Sequence, residues 1–299
     1  MDKNTKTWLL IAALLILIGS VLFAAAMTAN RWDFSKLNTV EYETNTYEFS
    51  DPINNISILT DTADILFVHG GSKSMVVCQE SKSMRHQVTV TDGTLTISQS
   101  DDLHWTDHIG ISTGAPKITV YLPDTQYQHL LIAENTGDIH IPEDFSFHSV
   151  EITTSTGDIE NYASATQLLK FRTSTGDIRL EALSADTISL AVSTGDIHLA
   201  NVQCGSFVSE GSTGDIDLIN VTAEERISIV SDTGDVTFDH CDAADIFVKT
   251  DTGHVKGSLN SGKMFTATSD TGKVDVPQSS TGGKCAITTD TGNIKITVN

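Results

Sequence analysis

Ser174-Thr175-Gly176-Asp177-Ile178-Arg179-Leu180 returns nineteen residues later as Ser193-Thr194-Gly195-Asp196-Ile197-His198-Leu199, and again as Ser212-Thr213-Gly214-Asp215-Ile216-Asp217-Leu218. The Thr-Gly pair at its centre recurs with glycines at Gly137, Gly157, Gly176, Gly195, Gly214, Gly234, Gly253, Gly272 and Gly292, at successive separations of 20, 19, 19, 19, 20, 19, 19 and 20. So even a period marks a repeat architecture in which each unit is one supersecondary element.

In most units the second and fourth residues after the glycine are apolar: Ile178 and Leu180, Ile197 and Leu199, Ile216 and Leu218, Val236 and Phe238, Ile294 and Ile296. The residue between them is polar or charged, as in Arg179, His198 and Asp217. A period of two is strand alternation, with one side facing water. Further apolar positions recur farther along, at Leu183 and Val202, Ala185 and Cys204, Ile188 and Leu190, and Ile227 and Ile229. Each repeat therefore reads as one coil of two or three short strands around an apolar inside. A lone coil buries too little to offset the entropy of ordering its chain, whereas stacked coils share one core and hydrogen-bond to each other. The predicted fold is all-β: a β-solenoid, or single-chain β-helix, of about 19–20-residue coils, preceded by one N-terminal transmembrane α-helix.

Outward from the repeats, residues 51–130 are less regular but still β in character, and are read as irregular coils and a cap. Ile56-Ser57-Ile58-Leu59 and Asp64-Ile65-Leu66-Phe67-Val68 resemble early coils, and Thr91-Asp92-Gly93-Thr94 is a hairpin turn between Val88–Val90 and Leu95–Ile97. Residues 30–50 are read as a stalk and first strand, and residues 131–299 as the regular solenoid. Residues 1–7 form a short tail before an apolar run at 8–29, and no charged residue lies between Lys6 and Arg31. That run is long enough to span a bilayer. Lys3 and Lys6 place the tail in the cytoplasm and everything beyond the run outside. The competing reading is a cleaved secretory signal, since Phe23-Ala24-Ala25-Ala26 supplies small residues near the end of the run.

With 18 basic residues against 39 acidic ones, the chain carries a formal charge of −21, the wrong sign for a nucleic-acid partner. Such a surface attracts cations and avoids anionic polymers unless a divalent ion intervenes.

The segment Lys117-Ile118-Thr119-Val120-Tyr121-Leu122-Pro123, followed by Leu130-Leu131-Ile132 and Thr136-Gly137-Asp138-Ile139, resembles the bacterial β-strand-repeat family named "putative adhesin", a domain of unknown function. The likeness extends over roughly residues 50–299. It implies a bacterial envelope protein, often membrane-anchored, and brings no catalytic residues with it.

Three constellations are candidate sites. Asp138, Asp158, Asp177, Asp196, Asp215 and Asp235 each follow a repeat glycine, and in-register stacking sets them about 4.8 Å apart. Such a column suits Ca²⁺, which prefers several oxygen ligands. The plainer reading is structural: the glycine supplies the corner, the threonine bonds along the stack, and the aspartate closes the turn through its own backbone. Asp102, His104, Trp105 and His108 form an acidic, aromatic and imidazole-bearing loop suited to a small ligand. Asp251-Thr252-Gly253 matches the triplet of aspartic proteases, but that chemistry needs paired carboxylates in a cleft, not a line along one edge. Cys204, Cys241 and Cys285 occupy apolar repeat positions and are expected as free buried thiols, with Cys78 left open.

The function expected is a non-enzymatic cell-envelope surface protein with an adhesin-like, sensing or scaffold role, bound to the membrane by its helix and to an envelope protein or polymer by its coils. The final strand, Asn293 to Val298, is expected to be an unpaired edge open to self-association. A divalent-cation-dependent binding module using the aspartate column is the alternative. A polysaccharide-acting β-helix enzyme is a minor one, because coils of nearly constant length leave no loops for groove walls.

Overall fold

The computed structural model describes residues 3–29, 31–33, 41–82, 84–99, 115–123 and 125–299. Its one helix, Lys3–Ala29, contains a span from Thr5 to Ala29 that is long and apolar enough to cross a membrane. Among the described residues every other regular element is a β-strand.

Each regular coil contributes a long and a short strand to two parallel ladders. In the Ser184–Thr194 coil, for example, the long strand ends at the Thr-Gly corner and Ile197–Ala200 follows as the short one. Long strands pair with long strands, Leu190 opposite Phe171 and Ser209, while short strands pair with short, Leu199 opposite Leu180 and Leu218. The repeat apolar positions stack on their equivalents, and the inward side chains of both ladders form a single core, with Ile178, Leu180, Ile188, Phe207 and Leu218 completely buried. Four consecutive coils close at a second corner where Ala182, Asn201, Asn220 and His240 adopt a left-handed backbone, φ 51° to 55°. Asn tolerates this conformation best, and the Asn220 side-chain amide donates to Asn201 Oδ1 at 3.1 Å.

The coils do not stack strictly in sequence order. At the N-terminal end, Asn55–Leu59 lies between Thr94–Gln99 and Gln126–Ala133, and Asp64–His69 lies between Lys117–Leu122 and Ile139–Ile141. Beyond this coil, antiparallel strands close the stack: Tyr42–Phe49 pairs with Ser74–Ser81, which pairs with Lys117–Leu122, and His86–Thr91 forms the expected hairpin with Thr94–Gln99 through Asp92 and Gly93, both at positive φ. Ion pairs Glu41–Lys82 and Glu43–Arg85 put charge at this end, which discourages further strand addition.

The C-terminal end is interleaved too, which corrects the expectation of an unpaired final strand. Ile294–Val298 pairs with Val255–Leu259 on one side and, through Ile294 and Lys295, with Val274–Asp275 on the other. Gly283–Thr291 likewise lies between the 245–252 part of Val236–Thr252 and Lys263–Thr271. The outer edge thus belongs mainly to Lys263–Thr271 and Val274–Asp275, and of the last strand only residues 296–298 lack a strand partner on that side, which narrows the edge read as open to self-association. One side chain explains how the order is held. Lys263 is opposite Gly283 and reaches past it to the next coil, where its buried ammonium meets Asp242 Oδ1 at 2.5 Å and the Ala243 carbonyl at 2.6 Å. Any side chain on Gly283 would lie 1.8 Å from the Ala244 carbonyl oxygen.

Candidate functional site

The Thr-Gly-Asp corners form one column along a border of the stack. Each glycine lies almost on the backbone of the coil before it: a Cβ on Gly195 would sit 2.1 Å from the Gly176 carbonyl oxygen, and φ there is 142°, a conformation open to glycine. The glycine amide donates to the next coil's threonine carbonyl, as Gly176 does to Thr194 at 3.0 Å.

Aspartate does not close its own turn, as the sequence suggested, but bonds the neighbouring coil. Oδ1 of Asp138, Asp158, Asp177, Asp196 and Asp215 accepts the backbone N–H of the following aspartate at 2.7 to 2.9 Å, and Asp235 accepts that of His254 at 2.8 Å. His254 Nδ1 then accepts from Asn293, and Asn293 Oδ1 from Lys273. At Asp235 partial burial pushes the carboxyl pKa up, but the His254 amide and the Lys256 ammonium, 3.2 Å away, outweigh it and hold the group below its usual range. The six carboxylates proposed for Ca²⁺ thus share one face, each with one oxygen committed to the fold.

Just inside this corner lies a second column at the third residue before each glycine, including Thr154, Thr173, Ser231, Thr250 and Thr289, all buried. Glu134 breaks its chemistry. It is 6 % exposed and neither carboxyl oxygen has a hydrogen-bond partner. Burial, with the charges of Asp64 and Asp138 adding to it, pushes its pKa up to about 8. Glu134 is therefore mostly protonated at neutral pH.

On the long-strand ladder a shallow groove of about 680 Å³ runs across consecutive coils, where the strands shift register between Phe147 and Ser149 and between Cys204 and Ser206. It is lined by small residues at equivalent positions, Ser146, Ser164 and Ser184, with Gln203 next in that row and the exposed carboxylates of Asp186 and Glu224 beside it. Gly205 keeps it open, since a Cβ there would come within 2.9 Å of Asp186 Oδ1. The period that builds the fold thus also repeats one small polar surface along the stack.

In the N-terminal cap, Cys78, Glu80 and His86 bring one ligand atom each within 4.8 Å of one another, and all three are buried. His86 Nδ1 lies 2.7 Å from Glu80 Oε2, its Nε2 lies 2.8 Å from Thr60 Oγ1, and its backbone N–H also donates to Glu80. The Asn45 amide donates to the other Glu80 oxygen at 2.7 Å. Burial, and then the Glu80 charge, push the Cys78 thiol up to about 12. This cluster escaped the sequence reading, although a signal was present: in Val76, Cys78, Glu80 the inward alternation of a strand ends on a carboxylate. All four cysteines are buried and free, as expected for three of them. Burial raises Cys204 and Cys285 to about 12 and Cys241 to about 11. The loop with Asp102, His104, Trp105 and His108 lies outside the described residues.

The model of the family described as Toastrack DUF4097 matches residues 53–297, which span every strand from the first coil to the last. This chain belongs to the Toastrack DUF4097 family. Solved structures share the Toastrack fold at low sequence identity. A "putative lipid binding protein" and a "putative adhesin", both from Parabacteroides distasonis, each match at 13 % identity with a TM-score of 0.54, over 87 % of this chain and 98 % of theirs. A "putative adhesin" from Bacteroides fragilis is 18 % identical with a TM-score of 0.48, over 86 % of this chain and 97 % of its own. No curated protein matches the chain.

Proposed function

We propose that this Toastrack chain is a non-enzymatic cell-envelope protein, held in the membrane by its apolar helix with the solenoid outside, that binds an extended envelope partner along its stacked coils. The groove carries this reading: a shallow trough of hydroxyls and small side chains that repeats at coil spacing suits a linear polymer or an extended peptide more than a compact substrate. The cysteines are buried with raised pKa, so none is an accessible nucleophile. The charge of −21 favours a cationic or neutral partner, or an anionic one bridged by divalent ions. The relatives named "putative adhesin" agree with a surface role.

The test is retention of the full chain, in detergent, on purified envelope polymer and on envelope protein fractions, with and without Mg²⁺ or Ca²⁺. Retention that is lost in an Asp186→Lys, Glu224→Lys double variant supports the groove. No retention on any fraction, or retention that the double variant leaves unchanged, removes it.

A second reading is cation-dependent binding through the aspartate column, favoured by six carboxylates aligned on one border. Its mark is Ca²⁺-dependent retention that survives the groove substitutions and is lost on neutralising Asp177, Asp196 and Asp215 to Asn.

A further inference from the structure

We propose that Cys78, Glu80 and His86 form a binding site for one borderline-soft transition-metal ion of the Zn²⁺ class, tying together two strands of the N-terminal cap. A thiol, an imidazole and a carboxylate are the donor set that favours zinc over the hard cations Ca²⁺ and Mg²⁺, which take all-oxygen shells. Their ligand atoms already lie within 4.8 Å of one another, on strands held by pairing on both sides of the cap. Tetrahedral zinc with ligand bonds of about 2.0–2.2 Å sets N and O donors roughly 3.3 Å apart. His86 Nδ1 and Glu80 Oε2 are now 2.7 Å apart, so a shift of well under an ångström admits the ion between them.

The surroundings are arranged as zinc ligands require. A metal-bound histidine needs a partner for its other ring nitrogen to fix the tautomer and aim the ring. Thr60 Oγ1 occupies that place, 2.8 Å from Nε2, while Asn45 holds the far oxygen of Glu80. Thr60 belongs to the first coil and the ligands to the cap strands, so the coil braces the ligand set through His86. A catalytic Cys-His-Glu triad is a poorer reading. Both imidazole nitrogens are engaged by Glu80 and Thr60, and all three side chains are closed to substrate.

The experiment uses the full chain, purified in detergent from zinc-supplemented medium, with bound metal measured by mass spectrometry and apo protein titrated with Co²⁺. The proposal expects stoichiometric zinc, a thiolate-to-cobalt charge-transfer band, and a melting temperature that falls on chelation. Cys78→Ser should abolish the band. Thr60→Val should keep it and weaken metal affinity by about 10- to 100-fold. Should Cys78→Ser lose its β circular dichroism, Glu80→Gln provides the ligand deletion and is expected to lose the zinc. Folded wild-type protein that takes up neither zinc nor cobalt overturns the proposal. A cobalt band that survives Cys78→Ser overturns it too, by assigning the thiolate to another cysteine.

Discussion

Glu134→Gln isolates the most unusual charge in the molecule. Its carboxyl is buried without a partner and ionises near pH 8, whereas in the unfolded chain it ionises near 4.5. A raised acid pKa means that the native state holds the proton that the unfolded state has released, so stability falls as pH rises between those two values. For a shift of this size the loss between about pH 5 and about pH 9 is on the order of 4 kcal/mol, most of it below pH 8. Gln fills the same space and stays neutral throughout. Equilibrium urea unfolding of wild type and variant across this range should give curves that nearly coincide at the acid end and diverge at the alkaline end, with the variant the more stable. Parallel pH profiles would refute the reasoning, because they would mean that the Glu134 carboxylate finds water or a cation to satisfy it.

Other substitutions probe the corner, the core and the interleaved end. Gly195→Ala forces a Cβ to 2.1 Å from the Gly176 carbonyl oxygen at a φ of 142°, and should cost more than about 3 kcal/mol by chemical denaturation, while Ser193→Ala on the exposed side should cost little. Asp196→Ala removes the acceptor for the Asp215 amide and should cost about 1 kcal/mol, whereas Asp196→Asn, which keeps an oxygen there, should be close to neutral. Equal losses in the two would move the role of the column from hydrogen bonding to charge. Lys263→Met breaks the tie to Asp242 and Ala243, and amide exchange should rise first in Lys263–Thr271 and Gly283–Thr291. A thiol reagent should label the four cysteines only after denaturation, as all of them are buried.

The regular half of the fold was legible because corner geometry allows few residues. Gly176, Gly195 and Gly214 stand where any Cβ would strike the coil before, and Ile178, Ile197 and Ile216 stack on one another, so sequence period and structural period coincide. The stacking order was harder to see because strand alternation gives each coil an inside but no neighbour. A trace of it is nonetheless in the sequence: Asp, His254 or Asn293 follows the glycine wherever another coil donates to it, and Lys273, which has no acceptor, marks the outermost coil. The cap cluster stayed hidden for a related reason. Cys78 and Glu80 share a strand face, but His86 and Thr60 come together only because the His86–Thr91 strand pairs antiparallel with Thr94–Gln99, which in turn pairs with the inserted first coil.

Engineered cysteine pairs on the corner border test that order most directly. Thr252 and Thr291 are register partners in adjacent coils, as are Thr271 and Thr291, which places Thr252 and Thr271 two coils apart. Adjacent positions, about 4.8 Å apart, lie within disulfide reach, and positions at twice that spacing do not. Under mild oxidation Thr252→Cys should cross-link with Thr291→Cys, and Thr271→Cys with Thr291→Cys, while Thr252→Cys with Thr271→Cys stays reduced. Efficient closure of the 252–271 pair, with the 252–291 pair left open, would show coils stacked in simple sequence order and contradict the interleaved architecture of the C-terminal end.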